Sequence, residues 1–600
     1  MCGIAGVYQK NLVSPDESSL KGMLHSIAHR GPDDEGMYIR QNIGLGHRRL
    51  SIIDTSEAGH QPMQYKHLVI VYNGEVYNYL EIKKELVEKG HTFVTRTDTE
   101  VILHAYEEWG EDCLHHFTGM WAFALMDGSK NMLFCSRDRF GIKPFYYYEN
   151  NEVLAFASEI KALLVSYASA RVNYERLIDY LMVGITDHSE DTFFQGIRHL
   201  LPGHLMTINL GNGKVDIQKY FDLADTHKFV SGMDDYVIRL RDSVRIHLRS
   251  DVPVGTCLSG GIDSSIVAAL AASFNRENGN DHFSAVTARS ESPHNDETPF
   301  ARQVAEHCKL NWYIANPVYE DFAKHIEDCL RFQGEPVGGP SVFMQYWVMK
   351  TAKEAGLKVM LDGQGGDETL LGYERYYISY FWDLFKAGHW IRLIKEYALA
   401  VRHSKMSFFR LTASAGYFSI FTLRKLVLKW RANFLKNEYR DYPNPILRKL
   451  TKDFFNLNKL QVSEIKFQQL PQLLKYEDRN SMAYSIEARV PYVELGCIET
   501  ALSLRSEEKI REGYTKYPLR RLAEEILPYA IAWRRDKIGF EAPAEIWLNR
   551  HRSIMENEIK NSKILKRICK FIPDLKKIRL EMRWRLYNIA VWERLYNVQP

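Results

Sequence analysis

The chain has little of what would mark a membrane, secreted or nucleic-acid-binding protein. It has eight cysteines in 600 residues and no CxxC pair, so neither a zinc site nor a disulfide framework is indicated. No stretch reaches the ~18 apolar residues that a membrane span needs. The first twenty residues lack the basic start and apolar run of a signal peptide. Scattered thiols fit a reducing compartment, so we expect a cytoplasmic protein.

A large net charge of either sign is also absent. The 78 basic and 75 acidic residues leave a net charge of +3, which predicts no nucleic-acid partner and no attraction to a membrane surface. Hydrophobic residues at 45% and charged residues at 26% are typical of a soluble globular chain. Six hundred residues are too many for one core, so two to four domains are expected.

The pattern of apolar residues changes about a third of the way along the chain. The first part has short apolar runs, such as Trp121–Met126, that end at turn residues. From Val254 onward, short apolar strands alternate with helical patterns, which favours a parallel sheet with helices on both faces. We therefore expect an α/β multidomain protein, with a β-rich domain at 1–215 and a doubly wound parallel-sheet domain with a helical extension at 216–600.

One segment of the second domain has an unusual composition. Residues 373–442 are dense in aromatic and basic side chains. They are interpreted as a helical insertion that packs on the core, or alternatively as a cover over a binding site or a docking surface.

The cysteine at position 2 predicts a nucleophile. Removal of Met1, which a small second residue favours, would give Cys2 both a thiol and a free α-amine. An α-amine has a pKa near ~8, so part of it is unprotonated at neutral pH and can act as a base for the thiol. The alternative is a small apolar residue that happens to follow the start methionine.

Attack on an amide also needs an oxyanion hole and groups that hold the substrate. Asn73 and the Gly74 backbone N–H are candidates for the oxyanion hole, although Asn-Gly between apolar runs is also typical of a hairpin turn. Arg49 is a candidate for binding an α-carboxylate and Asp98 for binding an α-ammonium. Both are otherwise interpreted as surface charges.

Several motifs in the first 210 residues resemble one known domain. They are CGI at 2–4, HRGPD at 29–33, RLSIID at 49–54, NGE at 73–75, TDTE at 97–100, RDRFGIKP at 137–144 and FASE at 156–159. Together they are similar to the glutaminase domain of N-terminal-nucleophile (class II) glutamine amidotransferases. The resemblance implies a four-layer α/β/β/α fold and hydrolysis of glutamine through a thioester on Cys2. It also implies that glutamine binds at Arg49, Leu50, Ser51, Ile52, Ile53, Asn73, Gly74, Glu75 and Asp98.

A second chemical motif follows the strand at 254–258. Its glycines would let backbone approach phosphates closely, and a helix N-terminus follows it. It lacks the Gly-Lys-Ser/Thr of a Walker A loop and instead resembles the pyrophosphate loop of ATP pyrophosphatases. The predicted ATP-binding residues here are Leu258, Ser259, Gly260, Gly261, Asp263, Ser264 and Ser265.

An acidic segment that follows another apolar strand is interpreted as the partner of this loop. It is Asp362-Gly363-Gln364-Gly365-Gly366-Asp367. Asp263 and Asp367 would then lie at the carboxyl ends of two parallel strands, where ligands bind in such sheets. Two carboxylates there are predicted to hold Mg²⁺ beside the leaving pyrophosphate. Two lysines complete the prediction, Lys516 near the phosphates and Lys537 as the group that stabilises charge developing during ammonia attack.

All these motifs in this order resemble glutamine-hydrolysing asparagine synthetases along nearly the whole chain. That resemblance implies small-molecule substrates, namely L-glutamine, ATP and L-aspartate, and ammonia that travels through a tunnel to an adenylated aspartate. It implies that Leu258, Ala285, Asp362 and Gly363 line the ATP pocket. A homodimer is possible.

Two departures from the family pattern leave open the possibility that a carboxylate other than aspartate accepts the nitrogen. The family often carries Glu where this chain has Gln364, and Gln is unable to act as a general base. The segment Ala488–Glu494 ends in Glu where typical members have Asp. The alternative function is the same chemistry on a sugar acid, a peptide or a natural-product precursor. A non-enzymatic scaffold is disfavoured, because Cys2 and the other candidate catalytic residues are present.

Overall fold

The computed structural model describes residues 2–225, 231–403, 408–535 and 541–600. Within these ranges, no helix combines the length and the apolar character needed to cross a bilayer.

Residues 2–225, called the first half below, form two antiparallel sheets of six strands each, and the described residues from 231 onward are called the second half. The strands are β1 Gly3–Gln9, β2 Asp34–Arg40, β3 Ile43–Arg49, β4 Met63–Tyr65, β5 Leu68–Val76, β6 Gly119–Asp127, β7 Met132–Arg137, β8 Tyr146–Glu149, β9 Val153–Ala157, β10 Ile197–His199, β11 His204–Asn209 and β12 Val215–Lys219. The first sheet has the order β10-β8-β9-β1-β3-β2 and the second β12-β11-β7-β6-β5-β4.

The two sheets pack face to face because each strand alternates side chains between two faces. Ile4 and Leu45 of the first sheet meet Val71, Ala124 and other apolar residues of the second in one buried cluster. Helices cover the outer faces. The first sheet is covered by α1 Glu17–Ser26, α5 Ile160–Ser166 and α6 Tyr174–Val183, and the second by α2 Tyr79–Glu88, α3 Asp98–Trp109 and α4 Cys113–His116. The four-layer α/β/β/α arrangement expected from the motifs is therefore present.

The second half is built on a five-stranded sheet in which every pairing is parallel. Its order is β15-β14-β13-β16-β17, so the direction of winding reverses between β13 and β16. Ligands bind at such a reversal, outside the carboxyl ends of the strands. The strands are β13 Val254–Cys257, β14 Ser284–Ala288, β15 Asn311–Ala315, β16 Val359–Leu361 and β17 Glu487–Arg489.

Helices lie on both faces of this sheet, as a doubly wound fold requires. One face is covered by α7 Met233–His247, α8 Ile262–Glu277, α9 Thr298–Cys308 and α22 Tyr517–Ile526, and the other by α10 Tyr319–Gln333, α11 Ser341–Glu354 and α19 Gln469–Met482. The remaining helices are α12 Gly366–Thr369, α13 Arg375–Lys386, α14 Trp390–His403, α15 Phe408–Ser419, α16 Phe421–Arg431, α17 Asn444–Lys452, α18 Leu457–Phe467, α20 Leu495–Ser503, α21 Ser506–Lys509, α23 Tyr529–Ala532, α24 Ala544–Arg550, α25 Arg552–Asn561, α26 Lys563–Ile568 and α27 Leu580–Tyr596.

The aromatic and basic segment at 373–442 is helical in its described parts. Tyr376 and Tyr380 of α13 are buried with Phe454 and Leu460 in a cluster that is separate from those on the two faces of the parallel sheet. The same segment also reaches the second candidate site described below, so it forms part of a wall as well as part of a core.

A buried network of charges joins the two halves. The Arg30 guanidinium donates to both carboxylate oxygens of Asp478 at 2.9 Å and to Glu159 at 3.0 Å. Arg479 pairs with Glu159 at 3.1 Å from the other side. Arg30 also donates to the carbonyl oxygen of Cys2 at 3.0 Å, so the interface is anchored on the predicted nucleophile.

Replacement of Arg30 tests this interface. Arg30→Met would leave Asp478 buried without its main cation, and breaking a buried ion pair in this way costs about 3–5 kcal/mol. We expect a loss of that size in the free energy of unfolding, measured by urea titration.

The matched control is Arg505→Met, which removes a pair with Glu508 from a side chain that is 75% exposed. Its cost should stay below about 1 kcal/mol. Equal effects of the two substitutions would contradict an interface held together by Arg30.

Two candidate active sites

Cys2 lies immediately before β1, at the end of the gap between the two sheets. Its backbone N–H donates to the Asn73 side-chain oxygen at 2.9 Å, and its Sγ lies 3.9 Å from the Leu50 carbonyl oxygen. Burial raises the pKa of the Cys2 thiol. The thiol is therefore neutral at rest and needs a base when it attacks.

Asn73 and Gly74 lie within β5, opposite Ala122 and Trp121 of β6. The hairpin-turn alternative for these two residues is wrong, because they belong to the middle of a sheet. Asn73 Nδ2 is buried and meets no acceptor among the described residues, so one N–H donor beside Cys2 is free to bind an oxyanion. A side chain at position 74 would lie 2.1 Å from the Met120 carbonyl oxygen, which explains a glycine there.

The segment Arg49–Ile53 continues from β3 toward the second half of the protein. Arg49 donates to the carbonyl oxygens of Ser56 at 2.6 Å and Asp54 at 2.5 Å. The Ser51 N–H donates to Asp33 at 2.9 Å. The apolar side chains of this segment pack against the other half of the protein; the cluster contains Leu50, Ile52, Ile53, Val359 and Met482.

Asp98 is the first residue of α3, whose N-cap is Thr97. Its carboxylate accepts from the Val76 N–H and the Tyr72 hydroxyl, both at 3.0 Å, which orients it toward β5. Burial raises the pKa of Asp98 to about 6. Burial likewise raises the pKa of Glu75, and the neighbouring carboxylates of Glu487 and Asp98 add to the shift. Two buried acids beside Cys2 are suited to binding a cationic group.

Arg489 of β17 connects this first site to the second. Its guanidinium lies 3.7 Å from Glu75 and donates to Glu487 at 2.6 Å. Its carbonyl oxygen accepts from the Asp362 N–H at 2.8 Å, one residue after β16. One residue thus contacts the environment of Cys2 through its side chain and the second site through its backbone.

The second site is a cavity of about 260 Å³ at the carboxyl ends of β13 and β16. The predicted ATP-binding residues that line it are Leu258, Ser259, Gly261, Asp263, Ser264, Asp362, Gly363, Asp367 and Lys516. Glu374, Tyr377 and His403 of the 373–442 segment also line it.

The loop after β13 is shaped for a phosphate. Ser264 lies in the first turn of α8 and its Oγ accepts from the Ser259 N–H at 3.1 Å, which folds the loop back over the helix N-terminus. Free N–H groups and the positive end of the dipole at such a terminus favour an anion. The sequence and the geometry of this loop therefore agree.

Lys516 joins the two acidic residues predicted to bind metal. Its ammonium group donates to Asp263 and lies 2.7 Å from Asp367. The nearby carboxylates raise the pKa of Lys516 against the effect of burial. A cation thus already lies between two hard oxygen ligands, and this donor set fits Mg²⁺.

Three of the described sequence-predicted residues do not line the cavity. Ala285 is buried in β14, and its neighbour Val286 lines the cavity instead. Gly260 and Ser265 are buried and do not line the cavity, and the Gly260 carbonyl oxygen accepts from Arg534 at 3.2 Å. Lys537 lies outside the described residues.

Arg534 is a cavity residue that sequence analysis did not assign a role. It pairs with Glu297 at 2.9 Å, and its Nε and Nη2 are buried without an acceptor among the described residues. The Arg534-Arg535 run was the available signal, but adjacent arginines alone are more typical of an exposed surface.

Comparison with known proteins places this geometry in a family. Residues 1–221 match the glutamine amidotransferase domain model and residues 237–583 the asparagine synthase model. The chain is 31% identical to "Asparagine synthetase [glutamine-hydrolyzing] 1" of Bacillus subtilis, over 91% of this chain and 88% of that protein. The chain belongs to the glutamine-hydrolysing asparagine synthetase family. It is an enzyme of this family, and the family uses ATP.

Two further proteins that are similar to this chain carry different names. A putative asparagine synthetase of Methanocaldococcus jannaschii is 35% identical over 64% of this chain and 78% of that protein. "Amidase chry2" of Gibberella zeae is 31% identical over 60% of this chain and 55% of that protein.

Gly260 allows a test of the ATP loop. It has φ +79°, and a Cβ there would lie 2.6 Å from the Ala301 backbone nitrogen. Gly260→Ala should displace the loop and weaken ATP binding at least about tenfold, since misplacing groups that orient a substrate is costly. Isothermal titration with ATP would measure this change.

Gly279→Ala is the matched control. Gly279 has φ +83°, but a Cβ there meets nothing within 4 Å. It should lose stability from backbone strain and keep its ATP affinity. A similar loss of affinity in both variants would contradict a local role for Gly260.

Proposed function

We propose that this enzyme amidates L-aspartate to L-asparagine, with glutamine as the nitrogen donor and ATP cleaved to AMP and pyrophosphate through a β-aspartyl-AMP intermediate. The observation that carries the proposal is the presence of two separate candidate sites in one chain. Cys2 lies beside a free Asn73 donor, and the phosphate loop of α8 faces the acidic loop after β16.

At the first site, Cys2 would attack the glutamine side-chain amide. Asn73 Nδ2 and the Gly74 N–H would stabilise the oxyanion of the tetrahedral intermediate, since fixed donors stabilise developing charge best in a buried site. Asp98 and Glu75 would bind the α-ammonium, and Arg49 the α-carboxylate. The segment Leu50–Ile53 would form the rest of the glutamine site.

At the second site, the turn at 259–264 would hold the phosphates of ATP, with Arg534 as an added donor. Asp263 and Asp367 would hold Mg²⁺, which would neutralise charge on the departing pyrophosphate. Lys516 would contact the same phosphates once ATP separates it from the two carboxylates. Ammonia released at Cys2 would pass the buried interface to the adenylated acceptor, and Lys537 would stabilise charge as AMP leaves.

A second candidate keeps this chemistry and changes the acceptor to a sugar acid, a peptide or a natural-product precursor. It is favoured by Gln364, which lines the cavity, and by the wall that Tyr377 and His403 add to it. The homodimer stays a prediction.

Pyrophosphate release distinguishes the two acceptors. We expect release from Mg-ATP and glutamine to require L-aspartate and to yield one asparagine per pyrophosphate, counted by mass spectrometry. Cys2→Ala should abolish glutamine use by at least about 10³-fold and keep synthesis from ammonium, because it removes only the nucleophile.

Cys308→Ala, a buried cysteine in α9, is the matched control and should keep both activities. Glutamate formation without aspartate-dependent pyrophosphate release would favour another carboxylate acceptor. Loss of ammonium-dependent synthesis in Cys2→Ala would contradict two separable sites.

The raised pKa of Asp98, about 6, predicts a pH dependence. Only the ionised carboxylate binds an ammonium, and its population falls as pH drops through that pKa. The KM for glutamine should therefore rise about tenfold per pH unit below 6. Steady-state glutaminase assays between pH 5 and 8 would measure it.

Asp98→Asn serves as the comparison, because its KM should be high throughout and should lack the change that follows the Asp98 pKa. A wild-type KM that stays constant from pH 7 to 5 would show that Asp98 is not the ammonium ligand.

A further inference from the structure

One wall of the second cavity contains a pair of carboxyl groups that have no role in the proposed function above. Asp362 lines the cavity, and Glu477 of α19 lies behind it. One oxygen of each lies within 4.8 Å of the other and of Cys257 Sγ. Asp362 is 9% exposed and Glu477 is 3% exposed, so both carboxyls are removed from water.

Three other carboxyls around the cavity pair with cations. Asp263 and Asp367 bind Lys516, and Glu297 binds Arg534. Asp362 instead faces a second acid. Ionisation of both carboxyls is disfavoured when they are so close and so buried, because no ion pair among the described residues offsets either charge.

A chain of side-chain amides fixes the orientation of Glu477. Asn480 Nδ2 donates to the Val342 carbonyl oxygen at 3.1 Å, and a carbonyl only accepts, so this end of Asn480 is the donor. The same nitrogen donates to Gln345 Oε1 at 2.8 Å, which leaves Gln345 Nε2 to donate to Glu477 Oε2. Gln333 donates to Asn480 Oδ1 at 2.8 Å and completes the chain.

This arrangement places a proton on Glu477. Its Oε2 is an acceptor from Gln345, and its Oε1 is buried without a donor among the described residues. A proton on Oε1 would be donated to Asp362. Burial raises the pKa of both groups, and the Asp362 charge raises that of Glu477 further, which agrees with one shared proton.

The amidation needs a proton acceptor at this place. Ammonia attacks the acyl-adenylate, the C–N bond forms, and the bond from the acyl carbon to the AMP oxygen breaks. The nitrogen must lose one proton to become a neutral amide. Gln364 has no basic group to take it, although it lines the same cavity.

The ammonia would arrive on the side where the pair lies. The buried Lys143 of the first half is close enough for its charge to act on Glu477 and Asp478. Asp362 is in turn bonded through its N–H to Arg489, which contacts Glu75 beside Cys2. The pair therefore lies on the wall of the cavity nearest the first site.

We propose that Asp362 is the base that takes the proton from the attacking ammonia, and that Glu477 is a positioning residue that holds Asp362 through a shared proton. This proposal rests on the proposed function, since it requires an acyl-adenylate in this cavity. It assigns to the Asp362–Glu477 pair the role that Gln364 is unable to perform.

Partial reactions of three variants test the assignment. Adenylation is measured as the aspartate-dependent exchange of pyrophosphate into ATP. Amidation is measured as the asparagine formed from ammonium. Asp362→Asn should keep exchange within about threefold and lose amidation at least about 100-fold, as expected for removal of a general base. Glu477→Gln still donates to Asp362 and accepts from Gln345, so amidation should fall only about threefold.

Glu477→Leu removes the hydrogen bond to Asp362, and that hydrogen bond lowers the pKa of Asp362. The pKa of Asp362 should then rise. Because the base must be ionised, the acidic limb of the pH–rate profile for amidation should move to higher pH. The amidation rate near pH 7 should fall about tenfold. Glu464→Gln, which changes a buried acid paired with Arg375, is the control for substitution of a buried carboxyl and should leave the limb in place.

The opposite pattern would overturn the proposal. A large loss in Glu477→Gln with a small loss in Asp362→Asn would make Glu477 the base. Equal loss of exchange and amidation in Asp362→Asn would assign Asp362 to ATP binding instead. Absence of exchange in the wild type would count against aspartate as the acceptor, not against the pair.

Infrared spectroscopy tests the shared proton without any acceptor. The wild type at neutral pH should show the C=O stretch of a protonated buried carboxyl, and Glu477→Gln should lose that band. An unchanged spectrum would contradict the shared proton. A divalent ion that copurifies with the wild type and not with either variant would show that the pair binds a metal.

Discussion

The ion-pair network around Arg30 is the interaction on which the two-site arrangement depends. A guanidinium with no exposed surface costs several kcal/mol to bury unless it is fully paired, and here the pairing comes from both halves of the chain. Glu159 belongs to the first half and Asp478 to the second, so Arg30 is satisfied only when the halves are docked. Its further bond to the Cys2 carbonyl places the predicted nucleophile in the same rigid unit.

The two carboxyl-rich environments differ in how their charge is balanced. Beside Cys2, Glu75 and Asp98 are buried with Arg489 as a partial counter-charge at 3.7 Å from Glu75. In the second cavity, Lys516 pairs directly with Asp263 and Asp367, while Asp362 and Glu477 face each other with no ion pair among the described residues. The first environment is therefore suited to binding a cation, and the second to exchanging one cation for another and to transferring a proton.

Much of this was predictable because it depends on local pattern. The strand at 254–258 and the helix after it follow from an apolar run and a glycine-rich turn, and the structure places them at Val254–Cys257 and Ile262–Glu277. The contact of Arg30 with Asp478 spans 448 positions and has no local signal. Strand β17 has only three residues, too few for a periodic pattern. Ala285 was placed by analogy, and a shift of one residue along a strand turns a side chain to the opposite face.

The backbone bond between Asp362 and Arg489 has a consequence for the evolution of such enzymes. One peptide group holds the acidic loop of the cavity, while the side chain on the same residue reaches Glu75 in the other half. A gene fusion that replaced the first half with an unrelated glutaminase would leave the buried Arg489 guanidinium without Glu75. It would also shift the loop that begins at Asp362. The halves are therefore expected to be inherited together, and changes in acceptor to accumulate on the far wall formed by Tyr377 and His403.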